Sequence, residues 1–260
     1  MDINNLCILI LSTNSPKYQP FINAIENGWY KEAVRNNIRV YFYSGGHNEN
    51  VISSDREIRV IEDDSIKNSY KKFFSAQKLV RDNFPDVKLF YRTNLSSYID
   101  IKEFINYISR GDFTSQTYHG FAAKANLISE LYYGNKLLHL FFKRIDMGPT
   151  IDFYSGSGFF IGVDLCNQLK YSSLSNYLID DVEIGRQLMK IPYRKSSIVY
   201  PRLLITDSFN KISVDDINQS ICNFNLFHYK FKHKNRLLDI EYMEKFGRLD
   251  FRLKLLSIKN

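Results

Sequence analysis

Residues 177–185 read Tyr-Leu-Ile-Asp-Asp-Val-Glu-Ile-Gly, and the adjacent carboxylates of Asp180 and Asp181 are the side chains best suited to chemistry. They follow an aromatic–aliphatic stretch and precede a helical run that reaches Gly185. Upstream, residues 154–161 read Tyr-Ser-Gly-Ser-Gly-Phe-Phe-Ile, a glycine-broken aromatic segment. A carboxylate at a helix start can take the proton of an acceptor hydroxyl, and glycines let a bulky ligand approach the backbone. The order and spacing of the two segments predict a sugar-handling cleft. Taken singly, each has a plainer reading. Asp-Asp before a helix serves as cap and first-turn charge, and Gly-x-Gly marks a turn or bulge.

Further candidates sit at the ends of predicted strands, where open α/β sheets bind ligands. Ser12 and Thr13 end the first, Ser44-Gly45-Gly46 the second, and Arg92 and Asn94 the fourth. Near the C-terminus, residues 227–233 read Phe-His-Tyr-Lys-Phe-Lys-His, and Arg236 follows. In a strand this alternation puts His228, Lys230 and Lys232 on one face and the aromatic residues on the other. Its plain alternative is an edge strand whose solvated lysines block aggregation.

The elements that must position these residues follow from periodicity. Residues 6–12, 38–43, 57–61 and 86–91 are β-rich runs, with helical spacing over 21–36 and 65–83 between them. This order predicts an α/β fold with a mixed, mostly parallel sheet flanked by helices. In the second half, 113–123 and 136–142 read as strand-like or irregular. Residues 158–169 read as strand turning into helix, 181–189 as helix and 200–206 as strand. No repeat or linker interrupts the chain, so residues 1–260 read as one domain. Residues 1–100 form its nucleotide-binding half, and 101–260 its acceptor-side half with a basic tail.

The chain carries a formal charge of +7, which favours an anionic partner such as a nucleotide-sugar, a nucleic acid or a membrane surface. Cys7, Cys166 and Cys222 are too scattered for a zinc knuckle or a disulfide framework. The N-terminus lacks a basic leader, and its apolar run spans only residues 6–11, a buried strand rather than a signal or anchor. These features predict a soluble, cytoplasmic protein. The sequons at Asn94 and Asn218 are then expected to stay unmodified.

These residues resemble the β-1,3-glycosyltransferase superfamily, the galactosyltransferase and fringe-like inverting enzymes of the GT-A fold. Residues 154–159 resemble its tyrosine–glycine–glycine–aromatic segment, and 180–185 its acidic motif closed by glycine. Lys67-Asn68-Ser69-Tyr70 resembles its Asp-Ser-Tyr helix start, and Phe84-Pro85 falls in place before the fourth strand. The resemblance covers residues 6 to 235. It implies a UDP-sugar donor, a glycan acceptor such as a surface polysaccharide, Asp181 as general base and Asp180 as orienting group. Ser12 and Thr13 would line the uridine pocket, with Arg92 and Asn94 on ribose or diphosphate and Tyr154, Gly156 and Gly158 on the acceptor.

Two departures stand out. Where the family holds Mg²⁺ or Mn²⁺ on an aspartate motif after the fourth strand, this chain reads Arg92-Thr93-Asn94-Leu95-Ser96, without a carboxylate. Residues 24–29 also lack the family's arginine-rich first helix. His228 resembles the family's metal-binding histidine and is the remaining ligand for a weakly held ion. Otherwise Lys230, Lys232 and Arg236 meet the diphosphate directly. The competing readings are a catalytically inactive glycan- or nucleotide-binding relative and, with no recognisable nucleic-acid motif, a basic nucleic-acid-binding protein.

Overall fold

The run Leu-Cys-Ile-Leu-Ile-Leu offers no polar side chain to water on either face, so it belongs at the centre of a sheet covered on both sides. A computed structural model, which describes residues 2–132, 135–145, 148–207 and 226–246, places it there. Strand β1 (Leu6–Leu11) lies between β2 (Arg39–Ser44) and β5 (Leu89–Asn94) and runs parallel to both. β4 (Glu57–Arg59) extends the parallel set beyond β2, and β3 (Val51–Ser54) closes that edge antiparallel. On the other side β8 (Thr150–Gly162) and then β7 (Tyr118–Asn126) add antiparallel. The seven strands run in the order β3-β4-β2-β1-β5-β8-β7. The three expected neighbours at the centre of the sheet are therefore present, parallel and buried.

A second sheet combines β6 (Ser97–Ile99), β10 (His228–Lys232) and β9 (Arg202–Thr206), with β10 in the middle. The plain edge-strand alternative for residues 227–233 is thereby corrected. β10 is paired on both sides, antiparallel to β6 and parallel to β9.

Helices cover both faces of the large sheet. The described helices are α1 (Gln19–Ile25), α2 (Lys31–Arg35), α3 (Ser69–Asn83), α4 (Ile101–Arg110), α5 (Leu127–Leu131), α6 (Lys136–Ile145), α7 (Val163–Cys166), α8 (Asp180–Leu188) and α9 (Arg236–Phe246), of which α6 packs on α5 rather than on the sheet. The period-two alternation of β1 splits the core. Leu6, Ile8 and Ile10 pack with Phe21, Ile25, Trp29 and Phe104, whereas Cys7 and Leu9 pack with Tyr70, Phe73 and Val80. Each such aliphatic side chain contributes about 1.5–3 kcal/mol by leaving water. The expected helix over 21–36 is broken by a wide turn, Glu26–Tyr30, in which Gly28 leaves helical geometry. That bend buries Trp29, whose indole N–H donates to Ser97 O at 3.3 Å.

One expectation is corrected. Residues 136–142 are neither strand nor irregular but lie in helix α6, because their leucines and lysine favour helix and no β-branched residue occurs before Ile145. Residues 113–123, read as strand-like or irregular, are irregular up to Thr117 and strand from Tyr118. Among the described residues, no helix is long and apolar enough to cross a membrane. Cys222 and Asn218 lie outside the described residues.

Candidate active site

Parallel strands bring their C-terminal ends to one edge, where Leu11 pairs with both Tyr43 and Asn94. Just past these ends lies a cleft of about 260 Å³, lined by Ser12, Thr13, Asp64, Lys72, Asn94 and Arg236 among others. The expected donor residues Ser12, Thr13, Asn94 and Arg236, far apart in sequence, thus share one hollow. Asp64 is the organiser of its rim. It accepts from Thr13 Oγ1 at 2.5 Å, from the N–H groups of Asn14 at 2.7 Å and Gly45 at 3.0 Å, and from Lys72 Nζ at 3.0 Å. Burial works against its charge, but these four donors prevail and lower its pKa. Neither Asp64 nor Lys72 was singled out from sequence, although the pair Asp63-Asp64 beyond a strand was a visible signal.

The floor of the site is Gly156, on β8. Its N–H donates to Asp181 Oδ2 at 2.6 Å, and its carbonyl accepts from Asn94 Nδ2 at 3.2 Å and from the Arg92 guanidinium. A side chain at Gly156 would begin 2.8 Å from Arg92 Nη1 and 3.0 Å from Asp181 Oδ2, so the room left by this glycine is what lets those groups reach its backbone. Arg92 also ion-pairs with Asp180 at 2.5 Å, with both side chains almost wholly buried. Removing either partner would strand a buried charge, at about 3–5 kcal/mol.

Helix α8 starts at Asp180 with Ile179 as its cap residue, so neither aspartate fills the capping role. Ser69 at the start of α3 accepts the Asp180 N–H at 3.0 Å, which joins the two helix starts that the sequence singled out. Asp181 accepts from the backbone N–H groups of Gly156 and Val182 and is 8% exposed. Burial, then the neighbouring Asp180 charge, pushes its pKa up to about 7 against the opposing pull of Arg92 and the two N–H groups. A carboxyl poised there can exchange a proton at neutral pH.

Behind the floor runs a buried chain of three rings. Tyr91 and Tyr200 hydroxyls lie 2.7 Å apart, and Tyr200 Oη lies 2.8 Å from His228 Nδ1. Gly158 is the space in which they meet, since a Cβ there would fall 2.6 Å from Tyr200 Oη and 2.7 Å from His228 Cε1. Burial, with Lys230 and Arg202 nearby, holds His228 neutral by pushing its pKa well below the usual histidine range. Its Nε2 is buried without a hydrogen-bond partner among the described residues.

Lys230 reaches from β10 to the end of β5. Its Nζ lies 2.5 Å from Asn94 Oδ1 and also donates to Ser96 Oγ. Lys232 is exposed and does not line the cleft, whereas Arg236 does, paired to Asp239 and set 5.2 Å over the Phe21 ring. The expected basic trio is therefore split. Arg202, which the sequence did not single out, bonds Ser157 Oγ at 2.7 Å and Ser155 Oγ at 3.3 Å and stacks 3.6 Å over Phe121. Tyr154 is turned away from the cleft and lines a separate hollow of about 340 Å³ with Phe153, Tyr193 and Lys195.

These donors do not fit a divalent cation. Asn94 and Ser96 are neutral oxygen donors already accepting from Lys230 Nζ, and His228 is fully buried, its Nδ1 engaged with Tyr200. Among the described residues, no group of three or more histidine, cysteine, aspartate or glutamate side chains gathers to hold an ion.

No protein-family model matches this chain, and no curated protein matches it. Among solved structures, the fold is similar to the crystal structure of a glycosyltransferase involved in the glycosylation of the major capsid of PBCV-1. The two chains are 12% identical with a TM-score of 0.47, over 92% of this chain and 98% of that one.

Proposed function

We propose that this chain is an inverting glycosyltransferase that moves a sugar from a UDP-sugar to a glycan hydroxyl, with a lysine in place of the metal ion. The observation that carries this reading is Lys230, whose Nζ is held between Asn94 and Ser96. Those are the positions at which the resembled family places metal-binding aspartates. The donor diphosphate then lies in the cleft at the strand ends, with Ser12 and Thr13 toward the nucleoside and Arg236 toward the phosphates, and with Lys230 behind the Asn94 and Ser96 wall that it bonds. Charged donors of this kind stabilise a diphosphate without recruiting an ion.

Asp181 takes the acceptor hydroxyl proton. The hydroxyl oxygen bonds to the anomeric carbon as the bond from that carbon to the diphosphate oxygen breaks, and the electron pair leaves with UDP. Lys230 and Arg236 offset the charge that develops on the leaving oxygen. Arg92 and Asp180 keep Asp181 and Gly156 in place.

The test is a thermal-shift and turnover series with UDP and UDP-sugars, with Mn²⁺ or with EDTA. UDP should stabilise the protein equally in both, by about 2.7 kcal/mol at a hundredfold excess over Kd. Stabilisation that appears only with Mn²⁺ would overturn the lysine assignment. UDP binding without turnover of any sugar donor would favour the inactive relative, and salt-sensitive binding of arbitrary DNA without a UDP response would favour the nucleic-acid reading.

A further inference from the structure

Helix α6 hides nothing. None of its residues Lys136–Ile145 is buried, although six of the ten are leucine, isoleucine or phenylalanine. Leu137 is 81% exposed, Phe141 57% and Leu140 52%, and Leu138 and Ile145 are exposed as well. One side of the helix is occupied. His139 Nδ1 lies 2.9 Å from Ser129 O, and Phe142 stacks on Tyr132 at 5.0 Å, so this side faces α5. At 100° per residue, Leu137, Leu140 and Phe141 project on the opposite side, with Arg144 among them and Lys136 and Lys143 on the flank. The helix therefore presents leucine and phenylalanine beside three cations, and it contains no carboxylate.

We infer that α6 seats the protein on an anionic lipid bilayer, with its apolar face in the headgroup–acyl boundary and Lys136, Lys143 and Arg144 on lipid phosphates. Charge selects this occupant over a second copy of the chain. A two-fold contact through α6 would bring like-charged faces together, whereas an anionic bilayer satisfies the apolar and the basic residues at once. The placement has a further meaning. Strand β8 runs antiparallel to β5, and its residues before Gly158 extend past the Asn94 end of that strand. The α5–α6 hairpin joins β7 to β8 at that extension, where Asn126 pairs with Thr150. The hairpin and the cleft thus lie toward the same end of the sheet, so docking through α6 would hold that end near an acceptor carried at the bilayer surface.

The test is flotation of the full chain with phosphatidylcholine vesicles, with and without phosphatidylglycerol. Anionic vesicles should bind at least roughly tenfold better than neutral ones, and high salt should weaken the binding. Two triple variants, Leu137→Ser with Leu140→Ser and Phe141→Ser, and Lys136→Glu with Lys143→Glu and Arg144→Glu, should each lose that gain with unchanged melting temperature. Equal binding to neutral vesicles, or binding retained by both variants, would overturn the inference, because it would then reside elsewhere on this basic chain. So would a wild-type dimer in sedimentation that the serine variant dissolves. Vesicle binding needs no donor, so it should persist in Asp181→Asn and stands or falls apart from the transferase reading.

Discussion

Asp181 and Asn94 hold opposite ends of one residue. Gly156 gives its N–H to Asp181 at 2.6 Å, and its carbonyl accepts from Asn94 at 3.2 Å. A helix start and a strand end are thereby locked together through a backbone that no larger residue could provide. The proposed base and the proposed donor cleft cannot move independently.

Asp181→Asn should reduce turnover below about a tenth of wild type, more than about 1.4 kcal/mol of barrier, with UDP affinity nearly intact. Wild-type turnover should rise with pH through about 7, as Asp181 loses its proton. Stability moves the other way. The folded state holds this proton above the ordinary value of 3.8, so the contribution is full below that value and lost as pH rises to about 7. Urea titrations of the two proteins should show wild type losing stability relative to Asp181→Asn across that window. Parallel curves would contradict the raised pKa.

Asp180→Ala leaves Arg92 buried without its carboxylate, and urea denaturation should report a loss of about 3–5 kcal/mol. Asp180 also raises the Asp181 pKa, so any residual turnover should have its acid limb at lower pH. An unshifted limb would mean that the two carboxylates do not sense each other.

Lys230→Met should weaken UDP binding by about 1.5–3 kcal/mol or more, and Lys232→Ala, at an exposed position, by far less. EDTA should do less harm than Lys230→Met. Burial, then Arg236 and Arg92, holds the Lys230 pKa well below the usual lysine range. A bound diphosphate favours the charged form, so binding takes up a proton and UDP affinity should fall as pH rises. Above about pH 7 the terminal phosphate of UDP is itself ionised and cannot mimic the effect. Calorimetry in buffers of different ionisation enthalpy would detect the uptake, and a pH-independent Kd would remove Lys230 from the site.

Gly158→Ala places a methyl group against Tyr91, Tyr200 and His228. Overpacking there should cost about 1–3 kcal/mol and displace β10, which carries Lys230. A crystal structure of the variant with the three rings unmoved would show that the chain tolerates the added volume.

The central strands were legible because residues 6–11, 38–43 and 86–91 are short β-rich runs bounded by polar turns, a pattern that a covered sheet explains, although the last strand proves to run from Leu89 to Asn94. Asp180, Asp181 and Lys230 were legible as residue types. Their partners were not. Arg92 reads from sequence as a strand-end residue, and nothing local says that it will neutralise Asp180. Arg202 and Lys72 look like ordinary surface cations, and only tertiary packing turns them inward. Helix α6 was missed because six apolar residues in ten satisfy strand and helix patterns alike, and neither pattern anticipates a helix that buries none of them.

The small sheet is built from segments at 97–99, 202–206 and 228–232, and the Lys230–Asn94 contact spans 136 positions of chain. Contacts of such long range pay their closure entropy before they return any energy, so they form late. During synthesis the paired strands β1, β2 and β5 are available long before β10 emerges from the ribosome. The Lys230 contact behind the cleft is therefore the last part to be finished, and a nascent chain holds a nearly complete sheet before the proposed donor site is complete.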